Sequence, residues 1–139
     1  MNITSWTHGD SIFLSEQIED HVAFVYLITN LVTNKKYVGK KLFTASKTFQ
    51  KNLKKKRKRV ESEWKSYYGS SEELKADVAK YGKDNFKREI LRLCKSKSEA
   101  NYYELKEQII RDVLLRSDYY NSFAGTRIHK KHLKNLFIS

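Results

Sequence analysis

Eight residues from Val22 to Thr29, V-A-F-V-Y-L-I-T, are apolar on both faces of an extended chain and rich in β-branched and aromatic side chains. A segment of that kind predicts a central strand covered on both sides. The turn-formers Asn30, Thr33 and Asn34 follow, and Lys36-Tyr37-Val38-Gly39 returns as a second strand, so the pair reads as an antiparallel hairpin. Tyr26 ends the first motif, Phe24-Val25-Tyr26, and Tyr37 opens the second eleven positions later. Lys40-Lys41 stand directly after Gly39, which sets two cations beside two phenols, a combination suited to phosphate chemistry.

The charge balance points the same way. Lys and Arg number 28 against 16 Asp and Glu, a net charge of +12 with a pI near 9.7, the electrostatic footprint of a nucleic-acid partner. Basicity alone names no reaction, and a basic binding protein would share it. A length of 139 residues predicts one domain with a modest core. With 40% hydrophobic and 13% aromatic residues the chain is globular despite a mean hydropathy of −0.70. Cys94 is the only cysteine, so no intramolecular disulfide can form and a reducing compartment is expected. No apolar run reaches membrane-spanning length and the N-terminus has no signal-peptide pattern, which predicts a soluble, cytoplasmic protein without a membrane partner.

Residues 1–20 lack a clean period and read as an N-terminal arm, with Ile12, Phe13 and Leu14 able to dock on the domain. From Lys47 to Arg59, eight of 13 residues are basic and none is acidic, by default a solvated helix or loop. Gly69 marks a break, Ser70 or Ser71 can cap a helix, and Leu74, Val78 and Tyr81 share one face before Gly82 stops it. Alternation from Asn85 to Cys94 predicts a third strand. Ser96 and Glu99 form a capping-box signature opening the longest helix, with Tyr102, Leu105, Ile109, Val113 and Leu114 as its apolar stripe to about Leu115. The expectation is therefore an α/β chain of α+β type: a small three-stranded antiparallel sheet flanked by helices, in the order β-β-α-α-β-α. Residues 21–125 form the domain, with the basic block 47–59 inside it, and residues 126–139 form a basic tail.

The order of these motifs resembles the GIY-YIG nucleases. The likeness rests on Phe24-Val25-Tyr26, on Tyr37-Val38-Gly39, and on the passage from Ser70 to Leu91, which is similar to the helix-to-third-strand region of phage homing endonucleases of that family. Glu104 and Asn121 fall where the family's metal-binding glutamate and late asparagine are expected. Phe24-Val25 replaces the family's Gly-Ile, and no arginine stands at the usual distance after the second motif. Either the basic block re-supplies it through Arg57 or Arg59, or Lys47 stands in, although a lysine lacks the planar guanidinium fork.

The resemblance implies a metal-dependent DNA endonuclease, of phage or mobile-element type, acting on double-stranded DNA in the host bacterial cytoplasm. Glu104 would hold one Mg²⁺ or Mn²⁺ with water and phosphate completing its shell. Tyr26 or Tyr37 would be the general base or water-orienting group, which requires a nearby cation to lower a phenol from about 10. Lys40, Lys41 and Arg57 are the candidate cations, and Asn121 would fix the phosphate or the metal-facing geometry. Gly39 would let a phosphate approach the backbone, and Lys41, Lys47, Lys54, Lys55, Lys56, Lys58 and Arg59 would contact the nucleic acid. Specificity would come from the basic block, the arm, the tail or homo-oligomerisation.

Plainer readings exist for each residue. Tyr26 could be a core tyrosine beside Phe24 and Ile28, Glu104 a surface carboxylate like Glu107, and Asn121 a turn former. Trp64, Tyr67 and Tyr68 could stack on bases or belong to the core. His129 and His132 lack the companions of a zinc site and join the basic tail. Cys94 reads as a small buried hydrophobe. As a whole, the chain could also be a non-catalytic DNA- or RNA-binding module on the same scaffold, or a protein that docks an acidic partner.

Overall fold

A computed structural model describes residues 5–51, 54–125 and 128–131; the side chains of residues 47, 49–51, 54–57, 128 and 129 lie outside that description. The apolar run forms β3 (Ala23–Asn30), after two short N-terminal strands, β1 (Trp6–His8) and β2 (Ser11–Ile12). β4 (Lys36–Leu42) returns antiparallel to β3, and β5 (Thr44–Lys51) and β6 (Lys54–Glu61) make a separate hairpin. Then come α1 (Glu72–Tyr81), β7 (Phe86–Cys94), α2 (Lys97–Ile110) and the short pair β8 (Phe123–Ala124) and β9 (Ile128–His129).

The main sheet has five strands in the order β2-β1-β7-β3-β4. β3 pairs antiparallel with both β7 and β4 as expected, but the sheet is larger and mixed, because β1 lies parallel to β7. The N-terminal segment is thus part of the sheet rather than an arm. Its reason is aromatic burial: Trp6 is 2% exposed, meets Phe24 edge-on at 4.9 Å, and donates its indole N–H to the Trp64 carbonyl at 2.7 Å. Phe13 docks beside it, whereas Ile12 and Leu14 are exposed. Strands of three and two residues are too short for alternation to reveal them.

The order β-β-α-α-β-α also needs correction, since the basic block is a hairpin and a single α-helix precedes β7. Phe43 and Trp64, which bracket the block, are both buried, with ring centroids 5.3 Å apart. Pinning both ends to one place obliges the intervening residues to leave and return, which a hairpin does. At its base, Ser62 donates its amide to the Phe43 carbonyl at 2.8 Å and its hydroxyl to the Leu42 carbonyl at 2.6 Å, and Arg59 donates to the Thr44 hydroxyl at 2.5 Å.

Every residue of β3 is buried. Phe24, Tyr26 and Ile28 pack with Trp6, Phe43, Trp64 and the Leu74 and Val78 side chains of α1, while Val25, Leu27 and Val38 pack on the other face with Ala100 of α2, Val113 and Leu114. α1 is closed as the sequence predicts: Ser71 accepts from the Leu74 amide at 3.2 Å, and Gly82 takes φ +89° at the C-terminal end. The α2 cap holds too, with the Ser96 hydroxyl accepting from the Glu99 amide at 3.0 Å.

The apolar stripe of α2 turns away from the sheet. Tyr102 is 62% and Ile109 is 55% exposed, while Ala100 and Gln108 are buried and Tyr103 and Glu104 half-buried. Small Ala100 permits close approach, and polar side chains meet β4, whose outer edge has unpaired backbone groups to satisfy. The helix ends at Ile110 rather than near Leu115; a turn with Asp112 at φ +53° delivers Val113 and Leu114 to the core.

The pairing of β3 with β4 sets Tyr26 opposite Gly39. A Cβ on Gly39 would stand 2.4 Å from the Tyr26 hydroxyl and 2.9 Å from the Tyr37 ring, so only glycine fits. Gly39→Ala should therefore destabilise the fold by about 1–3 kcal/mol through overpacking, read by chemical denaturation. Ile109→Ala, on the exposed stripe, should stay within about 0.5 kcal/mol of the parent; a core-sized loss there would restore the stripe to the interior.

Candidate functional site

A cleft of about 1070 Å³ opens along the edge of β4, between the start of α1, α2 and the segment leading to β8. It gathers four of the six residues the sequence marks as catalytic, Tyr26, Tyr37, Lys40 and Glu104. Alternation along β4 sends Tyr37, Gly39 and Lys41 toward the face that holds Tyr26, and Val38 and Lys40 toward α2. The phenols thus reach the cleft from one face of the sheet and the Lys40–Glu104 pair from the other. An edge strand is narrow enough for both sets to meet.

The phenols sit with ring centroids 6.2 Å apart, and the Tyr37 hydroxyl shares a 2.9 Å hydrogen bond with the Ser70 hydroxyl. Tyr26 is 1% exposed. Burial pushes its phenol well above the ordinary range, and the neighbouring Tyr67 and Tyr37 push it further. Tyr37 is raised by burial too, with the Ser70 hydrogen bond acting against the shift and Tyr67 and Glu104 adding to it. The protein's own groups therefore hold both phenols protonated near neutral pH, opposite to the lowering that a base role requires of a cation.

Lys40 donates to Glu104 at 3.0 Å. Lys41 does not join it: its ammonium lies 4.3 Å from the Tyr67 ring centre and pairs with Glu63 at 2.5 Å. Glu107, the rival carboxylate on α2, is 3.4 Å from Arg111 and does not line the cleft. Among the described residues no three His, Cys, Asp or Glu side chains converge as a metal cluster. One carboxylate, Glu104, suits a hard cation that takes the rest of its shell from water and phosphate oxygens, so the donor set fits Mg²⁺ or Mn²⁺ held mainly with substrate.

Asn121 lies behind the cleft, 3% exposed, with its amide spent on β4: Oδ1 accepts from the Val38 amide at 3.1 Å and Nδ2 donates to the Val38 carbonyl at 2.8 Å. It continues a pairing begun by Lys36, whose amide donates to the Asp118 carbonyl at 2.9 Å and whose carbonyl accepts from the Tyr120 amide at 2.7 Å. Asn121 acts as one more rung on the edge strand. Lys58 and Arg59 are exposed on β6. The backbones of Lys47, Lys54, Lys55, Lys56 and Arg57 belong to the hairpin, but their side chains lie outside the described residues, as do those of His129 and His132.

Three further residues shape the site. Ser70 holds Tyr37, Asn101 lines the cleft, and Gln108 donates to the Val38 carbonyl at 3.3 Å while its Oε1 is buried without a partner. Asn101, Glu104 and Gln108 recur at i, i+3 and i+7, a polar stripe on α2 that a search for apolar periodicity passes over. Of the aromatic residues beside the basic block, Trp64 is core, and Tyr68 packs 4.1 Å from the guanidinium of Arg88. Arg88 is buried, donates to the Lys65 and Tyr67 carbonyls at 2.9 and 2.8 Å, and is lowered to about 10 by that burial. Cys94 is fully buried and its thiol is raised to about 11 for the same reason.

Residues 6–124 match the family model described as "Putative endonuclease segE, GIY-YIG domain". Over 103 residues, 73% of this chain and 41% of the relative, the sequence is 37% identical to "Putative endonuclease segE" of Enterobacteria phage T4. It is 31% identical over 104 residues, 74% of this chain and 38% of the relative, to "Putative endonuclease segD" of the same phage. The chain thus spans about two fifths of the length of the curated relatives it matches. No solved structure matches it. With the motif tyrosines and the α2 glutamate lining one cleft, and with the family model covering most of its length, the chain belongs to the GIY-YIG family.

Proposed function

We propose that this chain is a metal-dependent DNA endonuclease that hydrolyses phosphodiester bonds of double-stranded DNA, a phage or mobile-element enzyme of homing type working in the bacterial cytoplasm. The observation that carries the reading is the convergence of two phenols with the Lys40–Glu104 pair on one cleft at the edge of β4. In this reading Glu104 holds a Mg²⁺ or Mn²⁺ ion, which when bound supplies positive charge to the phosphoryl oxygens and the departing 3′ oxygen. Lys40 exchanges its carboxylate partner for a phosphate oxygen as the substrate enters, so its charge faces the developing equatorial charge.

Tyr37 is the better placed phenol for taking a proton from water. It is the less buried of the two, and the Ser70 hydrogen bond already works to lower it. Tyr26, enclosed and held protonated, donates a hydrogen bond instead. Asn121 and Gln108 fix the Val38 peptide and with it the strand that presents Tyr37 and Lys40. The hairpin β5–β6 and the basic tail grip the duplex through phosphate contacts. Arg57, on β6, is kept as the candidate for the family arginine.

Glu104→Ala is expected to abolish nicking and linearisation of supercoiled plasmid in Mg²⁺ or Mn²⁺, a loss of at least about 100-fold, with DNA binding by gel shift retained. Retained cleavage would falsify the assignment, and plasmid left intact by the parent under every metal, beside a salt-sensitive shift, would favour a non-catalytic binding module. The phenol gives a second test through pH. Because Tyr37 is raised, its deprotonated fraction grows about tenfold per pH unit throughout the range below its pKa. The single-turnover rate should climb with pH from 6 to 9, and Tyr37→Phe should lower it by roughly 10²–10⁴ and flatten the profile. A profile unchanged in Tyr37→Phe moves the base role to Tyr26.

A further inference from the structure

A second cleft of about 400 Å³ lies beside the first, between the base of the β5–β6 hairpin and the opening turns of α2. Lys40, Lys41, Lys97, Asn101, Thr44 and Ser62 line it. Its lining holds three ammonium groups and no carboxylate, whereas the neighbouring cleft is lined by Glu72, Glu73 and Glu104 beside Lys40, with Glu73 paired to Lys35 at 2.6 Å and Glu72 to Lys75 at 3.6 Å. The carboxylates of the first cleft are thus matched by lysines, while the lining of the second is cationic and can accept an anion. They share Lys40 and Asn101 as a common wall.

The three lysines are not equivalent. Lys40 and Lys41 already face Glu104 and Glu63, but Lys97 is exposed and forms no ion pair among the described residues. We propose that this second cleft is a phosphodiester subsite that holds the backbone phosphate next to the one cleaved, with Lys97 as its principal charge and Asn101 as the amide between the two phosphates. The identity of the ligand rests on the nuclease reading, since a strand with one phosphate at Lys40 and Glu104 carries its next along the α2 turn toward Lys97. Beyond Thr44 and Ser62 the hairpin rises with Lys58 and Arg59 exposed, so a strand leaving the subsite meets further positive charge. The track therefore runs from the catalytic cleft past the start of α2 to the hairpin.

The test is duplex affinity measured over a series of salt concentrations for the parent, Lys97→Gln, Lys97→Arg and, as a remote surface control, Lys80→Gln. One lost phosphate contact should make the slope of log K against log salt shallower by roughly 0.9 in Lys97→Gln, with Lys97→Arg restoring it and Lys80→Gln leaving it in place. In cleavage assays the loss should fall on KM rather than kcat. A duplex with one neutral methylphosphonate flanking the cleaved phosphate should bind the parent more weakly, and should cost Lys97→Gln nothing further. Parental slope in Lys97→Gln, or an equal drop in Lys80→Gln, overturns the subsite. A parent that binds with the Lys97-dependent slope yet leaves plasmid intact removes the nuclease reading and keeps the subsite. Cleavage by the parent with Lys97→Gln indistinguishable from it does the reverse, and a parent without duplex affinity removes both.

Discussion

The Tyr26 phenol lies across the bare backbone of Gly39, and the arrangement of the site depends on that contact. The register of β3 on β4 puts the two residues opposite each other, and a single methyl at Gly39 would come within 2.4 Å of the phenol oxygen. Because the glycine leaves room, a tyrosine rooted in the most buried strand can extend its hydroxyl to the edge of the sheet, where the Tyr37 ring lies against it. Glycine is present for the sake of a side chain on the neighbouring strand. The same edge must still satisfy its outward backbone groups, and Lys36, Val38 and the chain from Asp118 to Asn121 do so as a partial sixth strand in which the Asn121 amide stands in for a peptide.

Electrostatics divide the molecule along that edge. A chain of +12 charge places three glutamates around one cleft and three lysines around its neighbour, so the two linings differ in charge although they share Lys40. The Lys40–Glu104 pair sits at the boundary. Because the pair is partly open to solvent, it contributes little to stability and parting it costs little. The tyrosines work in the opposite sense. Their burial keeps them neutral, so they shape the cleft without adding to its charge at neutral pH.

Two departures from the sequence reading have one physical origin, which is that tertiary anchoring decides where a locally ambiguous segment goes. The basic block between Lys47 and Arg59 has neither an apolar period nor a glycine or proline to mark its centre, and charge repulsion suits many conformations. The burial of Phe43 and Trp64 at its two ends makes it a hairpin. On α2 the period of Tyr102, Leu105 and Ile109 is real, but the sheet edge it meets is polar, so the helix presents Glu104 and Gln108 and leaves the apolar side outward. In both cases the deciding partner is distant in sequence.

By itself the sequence determined the elements whose signals are local. These are the apolar run of β3, the turn at Asn30 with its amide and side-chain bonds, the serine caps of both helices, the alternation of β7, and the order of the tyrosine, glycine and glutamate motifs. The resemblance to the family's motif order also named Tyr26, Tyr37, Lys40 and Glu104. Tertiary structure alone decided that Lys40 meets Glu104 while Lys41 meets Glu63, that Asn121 serves the strand edge, that Gln108 and Asn101 join the cleft, and that an N-terminal tryptophan extends the sheet. Each of these depends on which groups remain unsatisfied once the strands have paired, and that is fixed by contacts between segments tens of residues apart rather than by any local pattern.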